Sequence, residues 1–549
     1  MKLAIAQINT VPSDFEWNFR KITDYVLEAK SSGADMVVFP ELALSGYMNQ
    51  DIIYTVEFVE ENMRYLKRVQ NISDGIGILI GHIEAEKNRV HFNKKDISSL
   101  RFGGEFRYYN SATLFYDRKR IFTYHKQRLP SFDVFNEERY FTVNKQRGVF
   151  HFKGKRFGLN ICEDIWYEDG PYEREAESGV DIIINISASP FYVGKPEIRI
   201  KMISEKARMY GIFTIYVNSV GGQDELIYDG NSLVFDSKGR LIAKGMAFSE
   251  ELLSIDTEGR YKPIIAEFNK NELIFNGIIC GIRDYFKKNN IERAVVGLSG
   301  GIDSALVSTL CRIALGDENI INVFMPSEFT SVESLRLVED FIRRQKTRLV
   351  RIPIKKIYNS FCDELKDYKK DLSLPFENLQ SRIRGSILMF MANSFGGAVV
   401  ATGNKNEIAL GYNTLYGDTV GAIAPIGDLY KDEVISLCNY INQKYSEIIP
   451  VEIINRVPTA ELRRGQRDED DLPLYSITNR LLPEMIEKNR TDKELIKMGF
   501  DPKVLEFVHL SIKRSEFKRH QMPPIIKLKP KSFGSGRRIP ITNHFNYLR

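Results

Sequence analysis

The sequence predicts an α/β protein of two domains, and three observations carry that reading. Short apolar runs of strand composition recur from residue 3 onward, interleaved with helix-like segments, the pattern of helices layered on a sheet. The apolar Ala294-Val295-Val296 enters a glycine turn, Gly297-Leu298-Ser299-Gly300-Gly301-Ile302-Asp303-Ser304, which leaves as a helix-like run at 305–310. Past it, 320–325 and 349–353 read as strands joined by a helix, a strand–helix–strand unit of a doubly wound parallel sheet.

In the first half the clearest strands are 3–8, 36–39, 76–80, 111–116, 157–161, 181–186, 214–218 and 232–235. The hairpin-like spacing of several predicts a mixed sheet. A run at 239–243 reads as a closing strand. The polar Thr257-Glu258-Gly259-Arg260-Tyr261-Lys262-Pro263 has the glycine and proline of a boundary. The join is therefore set at 256–272, between domains 1–255 and 273–549, the second opening with a helix at 273–288. No internal repeat or low-complexity tract interrupts this order.

Composition narrows the function. The 549 residues are 43% hydrophobic and 27% charged, with a net charge of +5. That balance suits a soluble globular protein, mildly favours anionic ligands and does not by itself argue for nucleic-acid binding. The five cysteines, Cys162, Cys280, Cys311, Cys362 and Cys438, include no C-x-x-C pair, against a disulfide framework or zinc site and for a reducing compartment. The opening Met1-Lys2-Leu3-Ala4-Ile5-Ala6-Gln7 is strand-like and too short for a signal peptide. No apolar run approaches membrane-spanning length, and a cytoplasmic protein is expected.

Three islands in the first half place reactive groups at strand ends: Phe39-Pro40-Glu41, Tyr124-His125-Lys126 and Asn160-Ile161-Cys162. Each alone is ordinary. Together they suffice for thioester chemistry on an amide, because a thiol attacks as thiolate and needs a base and a neighbouring cation. Glu41 can accept the thiol proton, while Lys126 can hold the thiolate and then the oxyanion. P-E-L-A-L-S-G-Y, H-K-Q-R-L-P and C-E-D-I-W, at residues 40–47, 125–130 and 162–166, resemble the nitrilase-type carbon–nitrogen hydrolases. The resemblance implies a four-layer αββα sandwich and a Glu41, Lys126, Cys162 triad, with Glu137 as the second glutamate after the lysine loop. It also implies a glutamine site from Phe132, Glu163, Ser189 and Lys195. Family members often carry tyrosine where this chain has Phe132, and arginine where it has Lys195.

The glycine turn of the second half is an anion cradle, with backbone N–H groups and a helix N-terminus aimed at one spot. Gly300 and Gly301 are read as permitting the turn, Ser299 and Ser304 as hydroxyl donors, and Asp303 as a carboxylate for a phosphate-bound metal. It lacks the lysine of G-x-x-x-x-G-K-[ST]. Ser-Gly-Gly-x-Asp-Ser instead resembles the pyrophosphate loop of the ATP pyrophosphatases, of adenine nucleotide alpha hydrolase-like fold, implying that Gly297, Leu298, Ser299, Gly300, Gly301, Ile302, Asp303 and Ser304 bind ATP.

Further motifs follow in order: E-N-L-Q-x-R-I-R-G at 377–385, A-T-G-N-K-N-E at 401–407, G-Y-N-T-L-Y-G-D at 411–418, P-I-G-D-L-Y-K at 425–431 and A-E-L-R at 460–463. Glu469-Asp470-Asp471-Leu472-Pro473-Leu474-Tyr475 and E-F-K-R-H-Q-M-P-P at 516–524 complete the set. In this order, after the hydrolase motifs, they resemble the glutamine-dependent NAD⁺ synthetases over nearly the whole chain. The resemblance implies that Thr402 touches ATP, that Asn378, Glu407 and Lys518 contact deamido-NAD⁺, and that Asp303 and Glu407 hold Mg²⁺. It also implies a homo-oligomer through the hydrolase-like domain. The implied reaction activates a pyridine carboxylate with ATP as an adenylate, releases pyrophosphate and AMP, and amidates it with ammonia freed from glutamine. Because free ammonia in neutral water is mostly ammonium, passage from one site to the other inside the protein is expected. Glutamine-dependent asparagine synthetase would need a cysteine where Lys2 stands, and the Cys-His-Glu glutaminase of GMP synthetase finds no histidine motif after Cys162. The basic 527–538 segment reads as a solvated tail, a phosphate clamp or, less readily, an RNA contact.

Overall fold

The computed structural model describes residues 1–87, 106–368, 374–466 and 472–545. Glu469, Asp470 and Asp471 of the acidic motif lie outside these residues. The chain divides into two compact units, 1–221 with 227–268, and 222–226 with 269–549.

The first unit contains two six-stranded sheets. Its strands begin with β1 (Lys2–Gln7), β2 (Met36–Val38), β3 (Gly77–Lys87), β4 (Phe106–Tyr116) and β5 (Lys119–His125). They continue with β6 (Val149–Phe152), β7 (Lys155–Ile161), β8 (Ile182–Ser187), β9 (Phe213–Asn218), β10 (Val220–Gln223) and β11 (Leu226–Asp229), the last two less their residues within 222–226, which are counted with the second unit. The last are β12 (Leu233–Phe235), β13 (Leu241–Lys244) and β14 (Glu251–Asp256). The sheet orders are β14-β1-β2-β3-β4-β5 and β13-β12-β9-β8-β7-β6. Each keeps a parallel trio at its centre, β1-β2-β3 in one and β7-β8-β9 in the other, with antiparallel strands outside.

Alternation along β8 shows how the layers form. Ile182, Ile184 and Ile186 enter the core between the sheets, whose other members include Leu3, Val38, Leu79 and Leu114. Ile183 faces the other way, under Tyr172 and Ile203 of the helices Pro171–Ala176 and Lys195–Tyr210. A strand buried on both faces reads as a continuous apolar run, and each isoleucine so buried contributes about 1.5–3 kcal/mol. The helices Phe15–Ser31 and Val56–Asn71 pack on the first sheet, completing the αββα sandwich.

The second unit holds β15 (Arg293–Leu298), β16 (Ile320–Phe324), β17 (Arg348–Arg351) and β18 (Gly397–Val399). All are parallel, in the order β17-β16-β15-β18. Val295, Ile321 and Val323 share a core with the helix Leu374–Phe395. Asn322 faces oppositely, its Oδ1 accepting from Ser308 of the helix Ile302–Leu315 at 2.7 Å. Helices thus cover both faces, the doubly wound arrangement. The chain leaves β15 for β16 on one side and places β18 on the other, so a crevice opens at the carboxyl end of β15.

Candidate functional site

Each unit builds a site from strand ends. In the first, Pro40 lacks the N–H that would extend the β2 ladder, and the chain turns to bury Glu41. A Cβ on Gly81 of β3 would lie 2.4 Å from both Leu42 N and Pro40 O, so only glycine there lets the Glu41 turn close. Lys126 follows β5, and its Nζ donates to Glu41 Oε1 at 2.7 Å and Glu137 Oε1 at 2.8 Å. None of the three side chains is exposed. Glu41 also accepts from Asn110 Nδ2 at 2.7 Å and from the Ala188 N–H at 2.8 Å, while Glu137 accepts from the Tyr47 hydroxyl at 2.7 Å.

A lone ammonium buried here would cost several kcal/mol. Burial does oppose its charge, but Glu137 and Glu41 outweigh it and hold Lys126 well above the ordinary lysine value. Burial raises the Glu137 carboxyl to about 7, with Lys126 opposing the shift and Glu41 reinforcing it. Cys162 directly follows β7 and starts the short turn Cys162–Ile165 at φ 45°. Burial pushes its thiol well up; Glu41 adds to this and Lys126 opposes it. The structure therefore brings Glu41, Lys126, Glu137 and Cys162 into one buried electrostatic cluster.

The remaining candidates of this unit are placed unevenly. Burial raises the half-buried Glu163 carboxyl, while Lys126 and Lys195 work the other way, so the three share one neighbourhood. Lys195 is buried, its Nζ donating to the Pro190 carbonyl at 2.8 Å. The Ser189 N–H donates to Asn218 Oδ1 at 3.0 Å. Phe132 is 54% exposed and edge-on to Phe135.

Two features escape the sequence reading. Asp164 Oδ1 accepts from the Gln127 and Arg128 N–H groups, and its Oδ2 from Ile161 N and the Tyr124 hydroxyl. Arg199 and Asp229 form a fully buried two-pronged ion pair at 3.1 and 3.2 Å, and Asn218, which holds Ser189, donates to Asp229 at 3.3 Å. Both depend on partners dozens of residues away, and no local spacing announces them.

In the second unit the glycine turn follows β15 and caps the helix Ile302–Leu315. Gly300 adopts φ +85°, the left-handed region, and a Cβ there would meet the Ser334 carbonyl at 3.2 Å. Gly301, at φ −94°, has ordinary backbone, so the expectation that both glycines are needed for turn dihedrals holds only for Gly300. Nor is Ser304 an unengaged donor. Its Oγ accepts from Ser299 N at 3.2 Å and lies 3.1 Å from both the Gly301 carbonyl and Ser299 Oγ, bracing the turn.

A cavity of about 270 Å³ opens against this turn, lined by 297–299, 301–304, Thr402 and Glu407. Asp303 Oδ2 pairs with Lys431 Nζ at 2.5 Å, and its Oδ1 accepts from Asn404 Nδ2 at 3.3 Å. The Asn404 N–H donates to Glu407 Oε2 at 3.1 Å, so one asparagine links both carboxylates. Among the described residues no cluster of three or more Asp, Glu, His or Cys forms a metal cage. Two hard oxygen donors on one cavity still match the needs of Mg²⁺, which takes one or two carboxylates and completes its shell with water and phosphate.

Asn378 and Lys518 stand back from the lining: Asn378 Oδ1 accepts from Thr414 Oγ1 at 2.7 Å, and Lys518 Nζ donates to the Gly411 and Asn413 carbonyls at 2.8 and 2.7 Å. Arg456, given no role by the motifs, donates to Ser334 Oγ and Glu461 Oε1 at 2.8 Å each and reaches the Gly300 carbonyl at 3.4 Å. The basic segment is not a solvated tail over 527–533, where Lys527, Leu528, Lys529, Ser532 and Phe533 are buried.

Comparison with known proteins follows the same division. Residues 2–261 match the carbon-nitrogen hydrolase family and 274–523 the NAD synthase family. A protein of Thermotoga maritima described as a glutamine-dependent NAD(+) synthetase is 35% identical, with 99% of each chain covered. One of Synechocystis with the same description is 36% identical over 99% of each. The structure of glutamine-dependent NAD⁺ synthetase from Acinetobacter baumannii, in complex with ADP, superposes with a TM-score of 0.77 at 31% identity, covering 100% of this chain and 99% of that one. A glutamine-dependent NAD(+) synthetase from Cytophaga hutchinsonii shares the fold at 20% identity, with a TM-score of 0.82 over 99% of this chain and 98% of that one.

Proposed function

The chain belongs to the glutamine-dependent NAD⁺ synthetases, and from that premise we propose which residues carry each half of the reaction. The enzyme amidates deamido-NAD⁺ to NAD⁺ with ATP and glutamine. In the first unit the Cys162 sulfur attacks the glutamine carboxamide as its proton passes to Glu41, and Lys126 holds the tetrahedral oxyanion. Collapse returns the proton to the leaving ammonia, and water directed by Glu41 hydrolyses the thioester to glutamate. Glu137 keeps Lys126 in place. Glu163, Ser189 and Lys195 grip the substrate, with Phe132 at the rim. Lysine meets a carboxylate as a point charge, without the two-pronged grip of arginine.

In the second unit the pyridine carboxylate attacks the α-phosphorus of ATP, forming the adenylate and expelling pyrophosphate. Negative charge gathers on that leaving group where the 297–304 turn presents its N–H groups and the helix N-terminus. Asp303 and Glu407 would hold Mg²⁺, which when bound neutralises phosphate charge. Thr402 contacts ATP. Asn378, Glu407 and Lys518 serve the dinucleotide, the first and last by fixing the 411–414 segment. Ammonia from the first unit then displaces AMP. The resemblance to nitrilase-type proteins supports a homo-oligomer through the first unit, and five unpaired thiols support a reducing, cytoplasmic setting.

The observation that carries this reading is Lys126, donating at once to Glu41 and Glu137 while its charge is felt at the buried Cys162. The deciding experiment measures AMP and NAD⁺ formed from deamido-NAD⁺ and ATP, with glutamine or ammonium as nitrogen source. Loss of both by Cys162→Ala would end the proposed division of labour.

A further inference from the structure

The buried 527–533 segment accounts for a group of charges that the reaction leaves unused. Lys405 Nζ and Asp428 Oδ1 lie 2.8 Å apart with neither side chain exposed. The other oxygen of Asp428 accepts from the backbone N–H groups of Leu528 and Lys529 at 2.8 Å each, and from the Ser532 hydroxyl. Lys405 in turn donates to the Lys531 carbonyl at 2.7 Å. The Lys529 ammonium pairs with Glu433. Glu433 also pairs with Lys270 at 2.7 Å and accepts the Tyr430 N–H at 3.1 Å.

These contacts fall on two turns, 404–407 and 428–433, and the same turns supply the partners of Asp303. Asn404, beside Lys405, donates to Asp303 Oδ1 at 3.3 Å. Lys431, between Tyr430 and Glu433, has its N–H held by Asn406 Oδ1 at 2.9 Å and its Nζ paired with Asp303 Oδ2 at 2.5 Å. A buried carboxylate that loses its donors is costly, so a disturbed segment drags both turns with it.

We propose that residues 527–533 form a strap that positions Asp303 for adenylation, with Lys529 acting as an internal counter-ion to Glu433 and not as a ligand of nucleotide phosphate. Lys529 and Ser532 are positioning residues in this scheme, acting through Glu433 and Asp428. The proposal rests on the assignment of the 297–304 turn to ATP.

The test uses full-length Lys529→Met, Lys529→Arg and Ser532→Ala. Each is assayed for ammonia-supported NAD⁺ synthesis over a range of ATP, for deamido-NAD⁺-dependent exchange of pyrophosphate into ATP, and for glutamine hydrolysis. A misplacement near 1 Å at a reacting group costs up to about 10²-fold. Lys529→Met is expected to raise KM for ATP and slow exchange by about ten-fold or more, leave glutamine hydrolysis unchanged and recover in Lys529→Arg. Ser532→Ala removes one hydroxyl from a folded chain and is expected to shift KM for ATP in the same direction by a smaller factor. An unchanged KM and exchange rate in folded Ser532→Ala overturns the strap. So does a loss confined to kcat with KM for ATP constant, the signature of a reduced active fraction. Failure of the wild-type chain to exchange pyrophosphate would instead overturn the ATP assignment itself.

Discussion

The Oδ1 of Asp164 lies 2.8 Å from the Arg128 backbone nitrogen, and this bond joins the cysteine turn to the lysine turn. Its Oδ2 accepts from Ile161 N and Tyr124, so Lys126 and Cys162 are set from one carboxylate, and burial raises that carboxyl to about 6. Asp164→Asn would turn an N–H₂ group toward buried donors, at about 1–3 kcal/mol for each group left unpaired. Expected are a lower Tm and a fall of about ten-fold or more in kcat/KM for glutamine, with ammonium-supported synthesis preserved. Parallel assays with the two nitrogen sources check this.

Cys162→Ala removes the nucleophile and leaves the second unit intact. Glutamine-supported NAD⁺ formation should fall by about 10³-fold or more, while synthesis from ammonium continues. Mass spectrometry of the wild-type chain, quenched during glutamine turnover, should detect the γ-glutamyl thioester on the peptide that contains residue 162, and the alanine variant should lack it.

Gly81→Ala probes the closure of the Glu41 turn. Its Cβ would sit 2.4 Å from Leu42 N and Pro40 O and 2.7 Å from Glu41 Cα, contacts that backbone can relieve only by moving. Overpacking of this kind costs about 1–3 kcal/mol. The variant should melt lower and lose glutamine hydrolysis disproportionately. An alanine chain with wild-type glutaminase activity would show that the turn tolerates displacement.

Glu137 imposes a pH dependence with a definite sign. Its folded-state carboxyl titrates near 7 against an ordinary 4.5. Between those values the folded chain keeps a proton that the unfolded chain releases, so this group stabilises the fold less as pH rises through the window. Below about 4.5 and above about 7 its contribution is flat. Glu137→Gln cannot titrate, and the dependence of Tm on pH across that window should flatten relative to wild type.

Chelation separates the units by a different property. With Asp303 and Glu407 as the proposed magnesium donors, EDTA should stop adenylation and pyrophosphate exchange while glutamine hydrolysis proceeds. Asp303→Asn should raise the Mg²⁺ concentration needed for half-maximal synthesis. Unaltered magnesium dependence in Asp303→Asn would assign the cation to other residues.

Local patterns made much of this legible. The strand–turn–helix at 293–315 was readable because its apolar run, glycines and helix start are contiguous, and Glu41, Lys126 and Cys162 because each lies just past the end of a strand. The closing strand β14 went unread, since its place beside β1 pairs Glu251 with Gln7 across most of the first unit. Asp164, Arg456 and the Arg199–Asp229 pair share that difficulty: their meaning lies in who meets them. The 527–533 segment misled for the opposite reason, because its lysines suggested solvent while its leucine, serine and phenylalanine fit a buried strap. Lys405 and Asp428, quoted in motifs, show that a motif residue can serve the fold beneath a site as readily as the ligand above it.

The crevice beside β15 arises from the order in which four strands are laid down, and no single side chain creates it. Its walls can therefore be exchanged residue by residue while the opening persists. Variant libraries confined to the lining, such as positions 384, 413 and 459, should yield a high share of folded chains. They offer a route to altered carboxylate acceptors on an unchanged phosphate-gripping frame.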